Sequence, residues 1–115
     1  TNGDYLTEWG QMHRPCAFHI DGDLAYVGQL PSHLPVNATY PNIGACVTIH
    51  DMDGRQLARL GDAFPGEEPG QFTAPHGIAV TESGDVFVGE VSFSAWGKRL
   101  PVPRTARCLR KLTRL

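Results

Sequence analysis

His76 is the side chain of this sequence best placed to do chemistry. It follows Pro75 and precedes Gly77-Ile78-Ala79-Val80, where a loop enters an apolar strand. A neutral imidazole nitrogen there can ligate a transition metal such as zinc. One histidine is not a site, because structural zinc takes four protein ligands and catalytic zinc about three. The other reading is a loop histidine hydrogen-bonded to a neighbouring carbonyl. Cys16 follows Pro15 at the matching place earlier in the chain. It can be a ligand, but a small buried hydrophobe is the commoner role for such a cysteine. His13, His19, His33 and His50 lack metal spacing and read as structural or surface residues. Tyr40 and His33 on one long loop, and Phe93 and Trp96 on another, are residue types common in recognition surfaces. Together with Glu90, which closes the strand before the second loop, they are the candidate binding residues.

Other patterns carry less. Asp51-Met52-Asp53-Gly54 and Asp21-Gly22-Asp23 begin like calcium loops but lack the later ligands, so turn chemistry explains them. Asn37-Ala38-Thr39 is a glycosylation sequon with nothing else to support it. There is no Gly-rich phosphate loop, nucleophile elbow or paired zinc-knuckle cysteines. Seven of the ten Lys and Arg residues lie in 98–115, a segment without Asp or Glu. Such a tail can meet phosphates. The net charge is −2, however, and the tail has no interleaved aromatics for base stacking. A polar outer strand with Asp4 and Glu8 as acidic neighbours is the reading preferred over nucleic-acid binding.

The elements that must position these residues form a repeat. Gly70-Gln71-Phe72-Thr73-Ala74-Pro75 matches Gly10-Gln11-Met12-His13-Arg14-Pro15, and Ile78 and Val80 match Phe18 and Ile20 at the same spacing. After a one-residue slip, Phe87-Val88-Gly89-Glu90 matches Tyr26-Val27-Gly28-Gln29. Alternation of apolar residues marks each run as a strand. Ser83-Gly84-Asp85 and Asp51-Met52-Asp53-Gly54 supply turns between strands. Strands are expected at 3–9, 15–20, 24–28, 45–50, 55–60, 76–80, 86–89 and 107–112. Loops 29–43 and 91–104 separate them, the first too rich in proline for a sheet interior. A nine-residue insertion, 62–70, delays the second copy of the Gly-Gln motif. Cys46 and Cys108 fall at matching outer-strand positions, where packing is the expected role of both.

By place in the repeat the strands run d, a-b-c-d, a-b-c. This predicts an all-β chain of two four-stranded antiparallel sheets, the blades of a propeller. Blade one covers about 15–61, and blade two about 75–115, completed by strand 3–9 pairing with strand 107–112 either within one chain or between chains. Composition agrees with one soluble domain: 115 residues, 41% hydrophobic and 19% charged, with 13 glycines and 9 prolines. No apolar run approaches the roughly 18 residues of a membrane span, and no secretory h-region is visible. Three scattered cysteines point to a reducing, cytoplasmic setting rather than a disulfide framework.

The run Pro69 to Val80, with Gly84 to Glu90, resembles an NHL-type propeller repeat, and more narrowly that of peptidyl-α-hydroxyglycine α-amidating lyase and its bacterial relatives. The hairpin Asp51 to Gly61 is similar to that family's outer strands. The resemblance implies six blades, which two blades per chain reach as a homotrimer, with an eight-bladed tetramer as the alternative. It also implies a Pro-His entry to the inner strand of alternate blades, where histidines bind zinc. His76 matches that position, while Cys16 stands at it in the first copy. Tyr40-Pro41-Asn42 is loosely similar to the family's Tyr-x-Asn, and no residue matches its substrate-binding arginine. Two functions follow as expectations. One is a binding module presenting the loops to a small-molecule or protein ligand, and the alternative is a metal-dependent, lyase-like enzyme with a zinc site on the propeller axis.

Overall fold

A computed structural model describes residues 2–114. The chain is all-β, with seven strands in two antiparallel sheets. The first sheet has the order β1 (Pro15–Asp21), β2 (Leu24–Gln29), β3 (Cys46–Asp51), β4 (Gln56–Leu60). The second has β5 (Pro75–Val80), β6 (Val86–Glu90), β7 (Leu109–Leu112). Each expected strand from residue 15 onward is present within about two residues of its predicted ends, the scatter usual for element boundaries. The turns behave as their residues require. Gly84 takes φ 83° and Gly54 φ 85°, and the Gly54 N–H closes its turn on the Asp51 carbonyl at 3.0 Å. Loops 29–43 and 91–104 contain only short 3-10 turns, Pro35–Asn37 and Gly97–Arg99.

The repeat read from sequence is a repeat of registers. Pro15 pairs with Gln29 and Ala17 with Gly28, so Cys16 is an extra residue in β1. Pro75 pairs with Glu90 and Gly77 with Gly89, so His76 is the extra residue of a matching bulge. Beside each bulge the backbone closes identically, Leu30 N–H to the Arg14 carbonyl at 3.1 Å and Val91 N–H to the Ala74 carbonyl at 3.0 Å. The third strands agree too. Cys46 pairs with Gln29, and the Cys108 carbonyl accepts the Glu90 N–H at 2.8 Å.

The core lies between the two sheets. Tyr26 and Val47 of the first sheet meet Val86 and Val88 of the second, with Ala45 and Phe72 closing the cluster. Leu24, Ile49, Leu60, Ile78, Val80 and Leu112 pack at its margin. Val47 and Val88 are fully buried, each contributing on the order of 1.5–3 kcal/mol.

Three expectations are corrected for the single chain. Residues 2–9 form no strand, and β7 has only β6 beside it in the described residues, so the second sheet has three strands rather than four. The reason is reach and a better partner. The N-terminal segment runs directly into β1 and stays by the first sheet, where Trp9 stacks on His50 with ring centroids 5.9 Å apart. Trp9 also lies over Gly54, where a Cβ would stand 2.6 Å from its ring. Within the one chain, Asp4 and Glu8 therefore form no ion pair with the basic C-terminal strand among the described residues. Arg110 pairs with Glu90 at 3.1 Å and Lys111 with Asp85 at 2.7 Å. Cys108 is also exposed, whereas its counterpart Cys46 is buried as expected.

Candidate functional site

The two long loops leave matching ends of their sheets, one after β2 and the other after β6, and they meet. Between them is a cleft of about 220 Å³ lined by Arg14, Ser32, His33, Ser94 and Arg99, with Leu30, Pro31 and Ala95 as its apolar part. Arg14 has left-handed backbone geometry (φ 49°), and its guanidinium donates to the Pro31 carbonyl at 2.6 Å, anchoring the start of loop 29–43. On the same loop Ser32 Oγ accepts from Asn37 Nδ2 at 2.9 Å and from the Leu34 N–H at 3.2 Å. Arg99 ends the 3-10 turn of the opposite loop, its N–H donating to the Trp96 carbonyl at 2.9 Å. The lining thus combines two arginines, a histidine and two serines with no acidic residue, and of these the Arg14 guanidinium and the Ser32 hydroxyl are already hydrogen-bonded within loop 29–43 and its start.

Loop 91–104 is held in place by the insertion 62–70. Glu67 accepts from Trp96 Nε1 at 3.1 Å and from both terminal nitrogens of Arg104 at 3.0 and 2.9 Å. The Arg104 hydrogen bonds lower the Glu67 pKa below its ordinary range. Such forked pairs fix geometry as well as charge. Trp96 is thus tied through its indole N–H into the contact that braces the loop.

The other expected binding residues divide. His33 lines the cleft. Tyr40 and Phe93 are exposed on the same two loops but do not line it. Glu90 is buried, its carboxylate accepting the Thr73 N–H at 2.8 Å and the Thr73 hydroxyl at 3.1 Å in addition to Arg110. Its work is to hold the sheet. Arg14, Ser32, Ser94 and Arg99 were missed. The signal for them lay in the repeat itself, since matching strand ends in adjacent sheets must bring their following loops together.

His76 and Cys16 sit at equivalent bulges, a feature over-represented beside active sites. His76 is exposed. The Cys16 thiol donates to the Pro75 carbonyl at 3.0 Å across the two sheets, and desolvation raises its pKa, with Arg14 opposing. Among the described residues no three His, Cys, Asp or Glu side chains come together as a metal group. Much of the basic tail is neutralised internally, with Arg104, Arg110 and Lys111 paired to Glu67, Glu90 and Asp85. No helix among the described residues is long and apolar enough to cross a membrane. Comparison with protein-family models, with curated proteins and with solved structures gave no match.

Proposed function

We propose that the chain is a non-catalytic binding module of the β-propeller type, whose ligand is a small molecule or chain end carrying an oxyanion, held in the cleft between loops 29–43 and 91–104. The observation that supports this is the cleft's lining, which includes Arg14, Arg99, His33, Ser32 and Ser94 and no acidic residue. A volume of about 220 Å³ lies below the ~300–1,000 Å³ of drug-sized sites, which suits a carboxylate or phosphate group rather than a large ligand. Hydrogen bonds to charged groups contribute about 1.5–3 kcal/mol each. Loss of one guanidinium should therefore weaken binding by roughly tenfold or more. Assembly of chains into a closed propeller, three copies for six blades, belongs to the same reading.

Calorimetric titration at low salt with inorganic phosphate, and separately with succinate, tests the site. Saturable binding of one or both is expected, at least tenfold weaker in Arg99→Gln. Equal affinity in wild type and Arg99→Gln would remove the cleft from the account.

A further inference from the structure

The contact between the two sheets is a knob on a floor of small residues. Ile78 and Pro75 of the second sheet rest against Gly28 and Ala17 of the first. A Cβ at Gly28 would stand 2.8 Å from Ala17 Cβ, 3.3 Å from Pro75 Cβ and 3.4 Å from Ile78 Cδ1. The repeat places a second knob and a second floor on the molecule. Phe18 and Ile20 occupy in β1 the positions of Ile78 and Val80 in β5. They lie on the face turned away from the second sheet, 60% and 47% exposed. Gly77 and Gly89 occupy the positions of Ala17 and Gly28, on the outer face of the second sheet. A Cβ at Gly77 would meet nothing within 4 Å, and one at Gly89 only the Gly77 carbonyl oxygen at 3.9 Å. One chain thus exposes the counterparts of both the knob, Phe18 and Ile20, and the floor, Gly77 and Gly89, while Val27 and Ala25 beside the knob are already buried within the chain, with Trp9 on the same face at His50.

We propose that copies of this chain join head to tail, Phe18 and Ile20 of one copy seating on the Gly77–Gly89 floor of the next. The proposal rests on reading the sheets as propeller blades but not on the anion cleft. Sizes are compensated, since Phe18 is larger than Ile78 and Gly77 smaller than Ala17. Leu109 stands at the position of the buried Val47 and is 66% exposed, an apolar surface that the joint would cover. Lys111 stands at the position of Ile49, but its charge is matched by Asp85 and it lies over the Phe87 ring at 5.7 Å. The joint also gives His76 a partner. Cys16, on the floor sheet, donates to the Pro75 carbonyl of the knob sheet inside the chain, so His76, at the position of Cys16, donates to the Pro15 carbonyl of the copy whose Phe18 is seated on its floor. A contact between unlike faces closes into a ring or continues as a filament, according to its rotation.

Sedimentation equilibrium with two variants tests the joint. Wild type is expected to show a multiple of the 12.5 kDa chain mass. Gly77→Glu and Phe18→Glu should each sediment as monomers with unchanged circular dichroism, because both positions are exposed and Gly77 has room for a Cβ. Mixed in equal amounts, the two variants should form a dimer, since each retains the half that the other lacks. A monomeric wild type, or an assembled wild type whose mixed variants stay monomeric, would overturn the proposal. Every lining residue of the cleft lies within one chain, so phosphate titration of the Gly77→Glu monomer reports on the binding reading independently.

Discussion

At the end of the second strand of each repeat, a side-chain oxygen accepts a backbone N–H from the segment leading into the first strand. Gln29 accepts from His13 at 2.6 Å, and Glu90 accepts from Thr73 at 2.8 Å. The third strand completes each motif, through Thr48 hydrogen-bonded to Gln29 at 2.9 Å and Arg110 paired with Glu90 at 3.1 Å. One repeat uses neutral groups and the other a buried ion pair at the same geometry. Removing one partner of a buried pair leaves an uncompensated charge, so Arg110→Met should cost roughly 3–5 kcal/mol of unfolding free energy. The double variant Glu90→Gln with Arg110→Thr imports the neutral pair and should recover most of that loss. Urea unfolding of the three proteins checks both statements, and a double variant no better than Arg110→Met would show that the motifs are not interchangeable. At Gly28 the floor is filled, so Gly28→Ala should cost about 1–3 kcal/mol by overpacking, measurable in the same assay.

At the scale of elements, the insertion 62–70 and loop 91–104 form one unit through Glu67, Trp96 and Arg104. Arg104 lowers the Glu67 pKa in the folded chain. A lowered carboxylate pKa stabilises the fold above its unfolded value, about 4.3 for glutamate, and that contribution disappears as pH falls through the folded value. Trp96 fluorescence should therefore be constant from neutral pH down to about 4.3 and change below it. In Glu67→Gln this acid transition of Trp96 should be absent. A transition of equal size in both proteins would assign it elsewhere. Much of this architecture was legible in the sequence, because alternation and turn glycines are local signals. Seven strands, three hairpin turns and both long loops can be read from such signals. The strand expected at 3–9 is absent because its alternation is a local signal, while the placement of the segment depends on Trp9 finding His50 and Gly54. The partners of the basic tail were hidden for a related reason. Glu67, Glu90 and Asp85 are brought to Arg104, Arg110 and Lys111 only when the second sheet forms.

At the scale of the whole molecule, two stacked sheets bury one face each and leave one face each outward. An assembly of copies and a binding cleft make separate demands on the same chain. The metal-dependent alternative needs His76 from several copies around one zinc ion, and so requires His76→Ala to lose metal. The binding-module reading expects equal zinc in wild type and His76→Ala by elemental analysis of untagged protein. The cleft itself is most directly tested by an amide-resolved NMR titration of the isotopically labelled chain with inorganic phosphate at low salt. Saturable shifts should concentrate at Ser32, His33, Ser94 and Ala95, and vanish in Arg99→Gln. Shifts spread over the basic residues from Arg104 to Arg114, or unchanged by Arg99→Gln, would contradict the assignment of the cleft as the ligand site.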